Sequence, residues 1–142
     1  MRWCLAVLVT VALFPGAGRA VAGGADHPQR PRLDLRASPR VAFSPVEVLV
    51  IGELKGGQDT EEFYCPGLVW DWGDGSRSAH ESDCSPFQDG TELDRFFTAR
   101  HAFRAPGAYS VRLFLIRAGR TVTMATVPIM LYGHSASASD DY

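Results

Sequence analysis

Trp70-Asp71-Trp72-Gly73-Asp74-Gly75 and, further along, His101-Ala102-Phe103-Arg104-Ala105-Pro106-Gly107-Ala108-Tyr109-Ser110-Val111 are the stretches whose reading decides the fold. Each reads as a strand joined to a tight turn. In the first, Leu68, Val69 and Trp70 form a bulky apolar run suited to a buried pleated surface, and the run breaks at Gly73 and Gly75. Glycine takes positive φ without a steric cost, and Asp74-Gly75 is a strong short-range turn signal between strands. In the second, Pro106 fixes φ at the entry of a turn and Gly107 can follow with positive φ, so the pair predicts a type II turn.

A strand is predicted immediately afterwards. Tyr109, Val111, Leu113 and Leu115 fall on one face of an extended segment, and Ser110, Arg112, Phe114 and Ile116 on the other. Both faces are substantially apolar, which predicts a central strand.

Outward from these two stretches, Val46, Val48 and Val50 alternate with Glu47, Leu49 and Ile51. Phe96 to Phe103 offers another strand, and Ala118-Gly119 offers a hairpin turn between Ala108–Arg117 and Thr121–Leu131. No long 3.6-residue period bounded by caps interrupts the series. The fold class predicted is all-β, with strand signals at the spacing of a sandwich.

Taken together, the W-D-W-G-D-G segment and the H-A-F-R-A-P-G-A-Y-S-V segment resemble the PKD (polycystic kidney disease) domain family, which implies an immunoglobulin-like β-sandwich of about seven strands. The likeness extends over roughly residues 33 to 132. Trp72 stands where that family usually has Phe, and Phe103 where it usually has Tyr. The interval between the motifs is longer than usual, so residues 76–95 read as an insertion, holding His80, Cys84 and several acids. The resemblance implies extracellular protein–protein or protein–carbohydrate contacts. It also implies structural roles for Trp70, Asp71, Gly73, Asp74, Gly75, His101, Pro106, Gly107 and Tyr109, with His101 partly buried and hydrogen-bonded to neighbouring backbone.

The N-terminus sets the expected compartment. Met1 and Arg2 give a positive start, Leu5 to Phe14 an apolar run, and Ala20-Val21-Ala22 a cleavage site, so residues 1–22 read as a secretory signal peptide. The run is about ten residues against the roughly twenty a spanning helix needs, so no membrane insertion of the mature chain is expected. Residues 23–32 read as a Pro/Arg-rich linker, 33–132 as the sandwich domain and 133–142 as a solvated Ser/Ala-rich tail. The expected location is secreted, periplasmic or at the cell surface.

Cys4 leaves with the signal, so Cys65 and Cys84 remain as an even pair in an oxidising compartment and predict one disulfide. The competing reading, a metal pair or a reactive thiol, is poorly supplied with ligands, because only His80 lies near Cys84. Cleavage removes two cations, Arg2 and Arg19, and no acid, which takes the formal charge from −2 to −4. A mildly acidic chain is a poor nucleic-acid binder. Arginine outnumbers lysine, with Lys55 alone, which is compatible with a GC-rich bacterial gene; with no asparagine there is no N-glycosylation site.

Catalysis is not expected. Asp71-Trp72-Gly73 and Asp74-Gly75-Ser76 fall short of the D-T/S-G of small aspartic proteases, and no G-x-S-x-G, H-E-x-x-H or P-loop occurs. His27 and His134 fall in the linker and tail, and His101 has no identifiable nucleophile. Asp71 and Asp74 are explained as turn caps; the alternative is calcium held by Asp71, Asp74, Asp83 or Asp89, at a spacing unlike an EF-hand. No cofactor is expected.

Trp70 is expected between the sheets. Trp72 shares its face if the strand stays regular and turns outward otherwise. Exposed, it would join Tyr64, Phe87 and Phe96 as a contact surface for an unidentified extracellular protein or polysaccharide. Tyr109 just after Pro106-Gly107 predicts a tyrosine corner.

Overall fold

A computed structural model describes residues 30–134. The segment read as a signal peptide, with Cys4, most of the segment read as a linker, with His27, and the residues beyond His134 lie outside the described residues. Eight strands form: β1 (Arg32–Ser38), β2 (Val41–Phe43), β3 (Val46–Lys55), β4 (Gly67–Asp71), β5 (Arg77–His80), β6 (Phe96–Phe103), β7 (Gly107–Arg117) and β8 (Arg120–Tyr132). A 3-10 turn, Glu61–Phe63, links β3 to β4. One sheet has the order β1-β3-β6 and the other β2-β8-β7-β4-β5. All pairings are antiparallel except that of β2 with β8.

Period-two alternation builds the layer between the sheets. From β3 it takes Val48, Val50 and Leu54; from β6, Phe97 and Phe103. Facing them are Trp70 of β4, Val111, Leu113 and Leu115 of β7, and Val127, Ile129 and Leu131 of β8. The sheets meet closely where Gly52 lies opposite Leu113: a Cβ at Gly52 would stand 2.6 Å from the leucine's Cδ2. Strand β7 lies between β8 and β4, central as its two apolar faces predict.

The eight strands fit the expected sandwich of about seven, and two short ones among them carry no alternation to read. β2 is three residues long, and β5 is Arg-Ser-Ala-His, exposed throughout. The Pro106-Gly107 turn differs from expectation. Gly107 has φ 159° and opens β7 in nearly extended backbone, rather than the φ of about +80° that a type II turn requires.

Residues 76–95 are docked rather than loose. Cys65 and Cys84 are bonded, with Cα atoms 6.3 Å apart. Ser82 Oγ donates to the Pro66 carbonyl at 3.1 Å and Tyr64 Oη to the Ser85 carbonyl at 3.0 Å. Leu93 is buried, and Leu54 N donates to the Arg95 carbonyl at 2.8 Å. The bridge closes a 19-residue separation around β4, its turn and β5. A loop of that size contributes about 3 kcal/mol in the chain-entropy description. Among the described residues no helix is long and apolar enough to cross a membrane.

Candidate functional site

The two motifs meet at one end of the sandwich. Strand β4 stops at Asp71, whose Oδ1 accepts from Gly73 N at 3.1 Å and whose Oδ2 accepts from Arg77 at 3.0 Å. Trp72 N donates to the Ser76 carbonyl at 3.1 Å and closes the turn into β5. Gly73, at φ 79°, presses on β7: a Cβ there would lie 2.8 Å from the Ser110 carbonyl oxygen. A side chain at this position would be both strained and obstructed.

Trp72 turns inward. It is 1% exposed, its indole N–H donates to Ser78 Oγ at 2.9 Å, and its ring lies parallel to Trp70 at 5.7 Å. The imidazole of His101 stacks on its other face at 4.5 Å, with 9° between the planes. Phe103 meets His101 edge-on at 4.8 Å and Tyr109 at 4.7 Å. Tyr109 Oη donates to the Ala105 carbonyl at 2.8 Å, the tyrosine corner expected from Pro106-Gly107-Ala108-Tyr109.

His101 hydrogen-bonds a side chain rather than the backbone anticipated from the resemblance. Its Nε2 lies 2.7 Å from Asp74 Oδ2. Asp74 Oδ1 accepts from Ser76 N at 2.9 Å and from Ser76 Oγ at 2.6 Å. Partial burial pushes the Asp74 carboxyl up, but hydrogen bonds from Ser76 Oγ, His101 and Ser76 N, with the attraction of His101, outweigh it and hold the group at about 2.

This Ser76, His101 and Asp74 set is not a nucleophile relay. In a relay, serine and carboxylate approach opposite nitrogens of the imidazole. Here Ser76 Oγ, at 3.4 Å, and Asp74 Oδ2 approach the same Nε2, and the hydroxyl is directed to the carboxylate. The arrangement pins a turn to a strand in the opposite sheet. For calcium, the carboxylates of Asp71 and Asp74 are engaged by protein donors, and no group of three or more His, Cys, Asp or Glu able to hold a metal occurs among the described residues.

The expected contact surface does not assemble. Burial of Trp72 removes it as a contact residue, because the tight turn carries it back over Trp70 and its N–H finds Ser78. Tyr64 and Phe87 pack edge-on against each other at 5.3 Å and hold the inserted segment. The guanidinium of Arg117 lies 5.7 Å over the Tyr64 ring. Of the four, Phe96 alone is fully exposed, at 62%.

A different surface went unread in the sequence. On the outer face of the five-stranded sheet, Val41 and Phe43 of β2 lie beside Met130 and Tyr132 of β8, with Met124 further along the same strand. All five are exposed. Phe43 contacts Tyr132 at 6.1 Å between ring centres and His134 at 5.2 Å. The signal was present: β8 is apolar at Met124, Met130 and Tyr132 as well as at Val127, Ile129 and Leu131, so both of its faces are greasy.

No protein-family model and no curated protein matches this sequence. Among solved structures, the PKD domain of an M14-like peptidase from a Thermoplasmatales archaeon matches with a TM-score of 0.50, covering 74% of this chain and 98% of that domain, at 13% identity. At that identity the likeness is one of fold: the chain is built as a PKD-like, immunoglobulin-type β-sandwich.

Proposed function

We propose that the chain is a secreted, non-catalytic PKD-like module that makes protein–protein contacts through the outer face of its five-stranded sheet. The observation that carries this reading is the cluster of exposed apolar side chains at the β2–β8 edge, Val41, Phe43, Met130 and Tyr132. Contiguous exposed apolar side chains mark interaction sites more often than single exposed residues do. The disulfide suits the oxidising compartment that a signal peptide over 1–22 would deliver it to. The non-relay geometry of Ser76, His101 and Asp74 supports a role without catalysis.

A protein partner is favoured over a polysaccharide because Trp72, the aromatic best suited to a sugar ring, is enclosed. The other readings, a structural component of a surface or envelope assembly and a calcium-stabilised glycan-binding accessory protein, differ in what they predict. Cross-linking of the mature protein in its own secreted or envelope fraction should capture a partner, and Phe43→Glu with Met130→Glu should abolish capture without changing thermal unfolding. Capture unaffected by both substitutions would reject this surface. Retention on insoluble polysaccharide, dependent on calcium, would favour the glycan reading instead.

A further inference from the structure

Strand β6 is the edge of the three-stranded sheet, paired with β3 on one side and with no strand on the other among the described residues. Leu54 N donates to the Arg95 carbonyl, which fixes the phase of the ladder. The odd-numbered residues of β6 bond to β3, and the register continues without a shift to Val46 opposite Phe103. Hydrogen bonding alternates sides along an antiparallel strand. Phe96, Thr98, Arg100 and Ala102 therefore direct their N–H and C=O groups away from the sheet. No proline or bulge interrupts this row, and its one charged side chain, Arg100, is paired with Glu47 on the neighbouring strand.

We infer that this edge pairs with the same edge of a second copy of the chain, antiparallel and about a two-fold axis through Ala99, joining the two three-stranded sheets into one continuous sheet. The inference is independent of the protein-contact surface proposed above, which lies on the other sheet.

The choice of a second copy comes from the self-complementarity of the row. Centred on Ala99, the pairing sets Thr98 opposite the partner's Arg100 and Phe96 opposite the partner's Ala102, so all four outward residues are satisfied. One step further out, Asp94 falls opposite the partner's Arg104. Both are exposed, and neither makes an ion pair within its own chain among the described residues. Arg100 is already neutralised by Glu47 at 3.1 Å. Moving the axis to Arg100 would oppose two like charges directly, which is unfavourable across strands. Moving it to Thr98 leaves Ala102 outside the paired row of four. The interface is isologous, the commonest arrangement of homodimers.

Sedimentation equilibrium of the mature, disulfide-bonded protein tests this. A concentration-dependent monomer–dimer equilibrium is expected. Asp94→Arg and Arg104→Asp should each weaken the dimer by about ten-fold or more, and the double exchange D94R/R104D should restore it. Thr98→Pro removes an outward donor while leaving the β3 ladder in place, and should give a monomer with the unfolding midpoint of the unmodified monomer. Phe43→Glu with Met130→Glu should leave the dimer unchanged. A protein that stays monomeric at millimolar concentration, a dimer indifferent to the charge exchange, or an edge that pairs only with an added foreign strand would overturn the inference.

Discussion

The two outer faces of the sandwich are built by the same alternation yet are finished differently. On the three-stranded sheet, Arg36 pairs with Glu53 at 2.6 Å, Lys55 with Asp34 at 2.7 Å and Arg100 with Glu47 at 3.1 Å. The Lys55 hydrogen bond, against partial desolvation and with help from Arg32, holds the Asp34 carboxyl below its usual range. On the five-stranded sheet the outward positions at the β2–β8 edge are Val41, Phe43, Met130 and Tyr132, with Met124 further along β8, while the opposite edge carries the Asp71–Arg77 ion pair at 3.0 Å. Exposed ion pairs add little to stability, about 0–1 kcal/mol each, so the charged face is best understood as a face made for water. The apolar β2–β8 edge gains nothing from water, which is why the proposed contact surface is placed there.

This comparison can be tested through four expected outcomes. The largest concerns the layer both sheets share. Trp72→Ala should cost about 3–5 kcal/mol, the range for removing a large aromatic from a core, measured by chemical denaturation. A loss near zero would mean that Trp72 belongs to an outer face after all. Next, Tyr109→Phe removes the hydroxyl held by Ala105 and should cost about 1 kcal/mol with contacts on either face unaltered; an unchanged thermal midpoint would count against the corner.

The third outcome is read in acid. Asp74 titrates at about 2 when folded against 3.8 when unperturbed, so its contribution is fully present above 3.8 and is lost as pH falls through about 2. Asp74→Asn should flatten that part of the acid-unfolding curve while leaving the share due to Asp34 on the charged face. Identical curves for the two proteins would remove the Asp74 contribution. The smallest effect contrasts the faces directly. Arg36→Ala and Phe43→Ser should each change stability by less than about 0.5 kcal/mol, but only the second should lower partner capture. Equal capture by both would erase the difference between the faces.

Much of this architecture can be read in the sequence because it is local. Val111, Leu113 and Leu115 declare their strand by alternation, Tyr109 declares its corner by following Pro106-Gly107, and, with Cys4 set apart in the expected signal segment, Cys65 and Cys84 leave one pairing. What escaped reading depends on distant partners. β2 exists because Arg40 and Ser44 place three residues beside the end of β8, with Met130 N donating to the Arg40 carbonyl and Ser44 N to the Tyr132 carbonyl. His101 meets Asp74 across 27 positions of chain, and no local pattern announces that bond. Trp72 was ambiguous because its direction depends on a turn closed by Ser76 and on a hydroxyl at Ser78. The outer face of β8 was ambiguous because a strand apolar at both parities does not say which side its own protein covers.

The parallel column of Trp70, Trp72 and His101 has an optical consequence. Among the described residues these two indoles are the only tryptophans. Lying nearly parallel at 5.7 Å, they form a coupled pair of chromophores. Indole emission from this pair will therefore report the seam between the sheets rather than events confined to either outer surface.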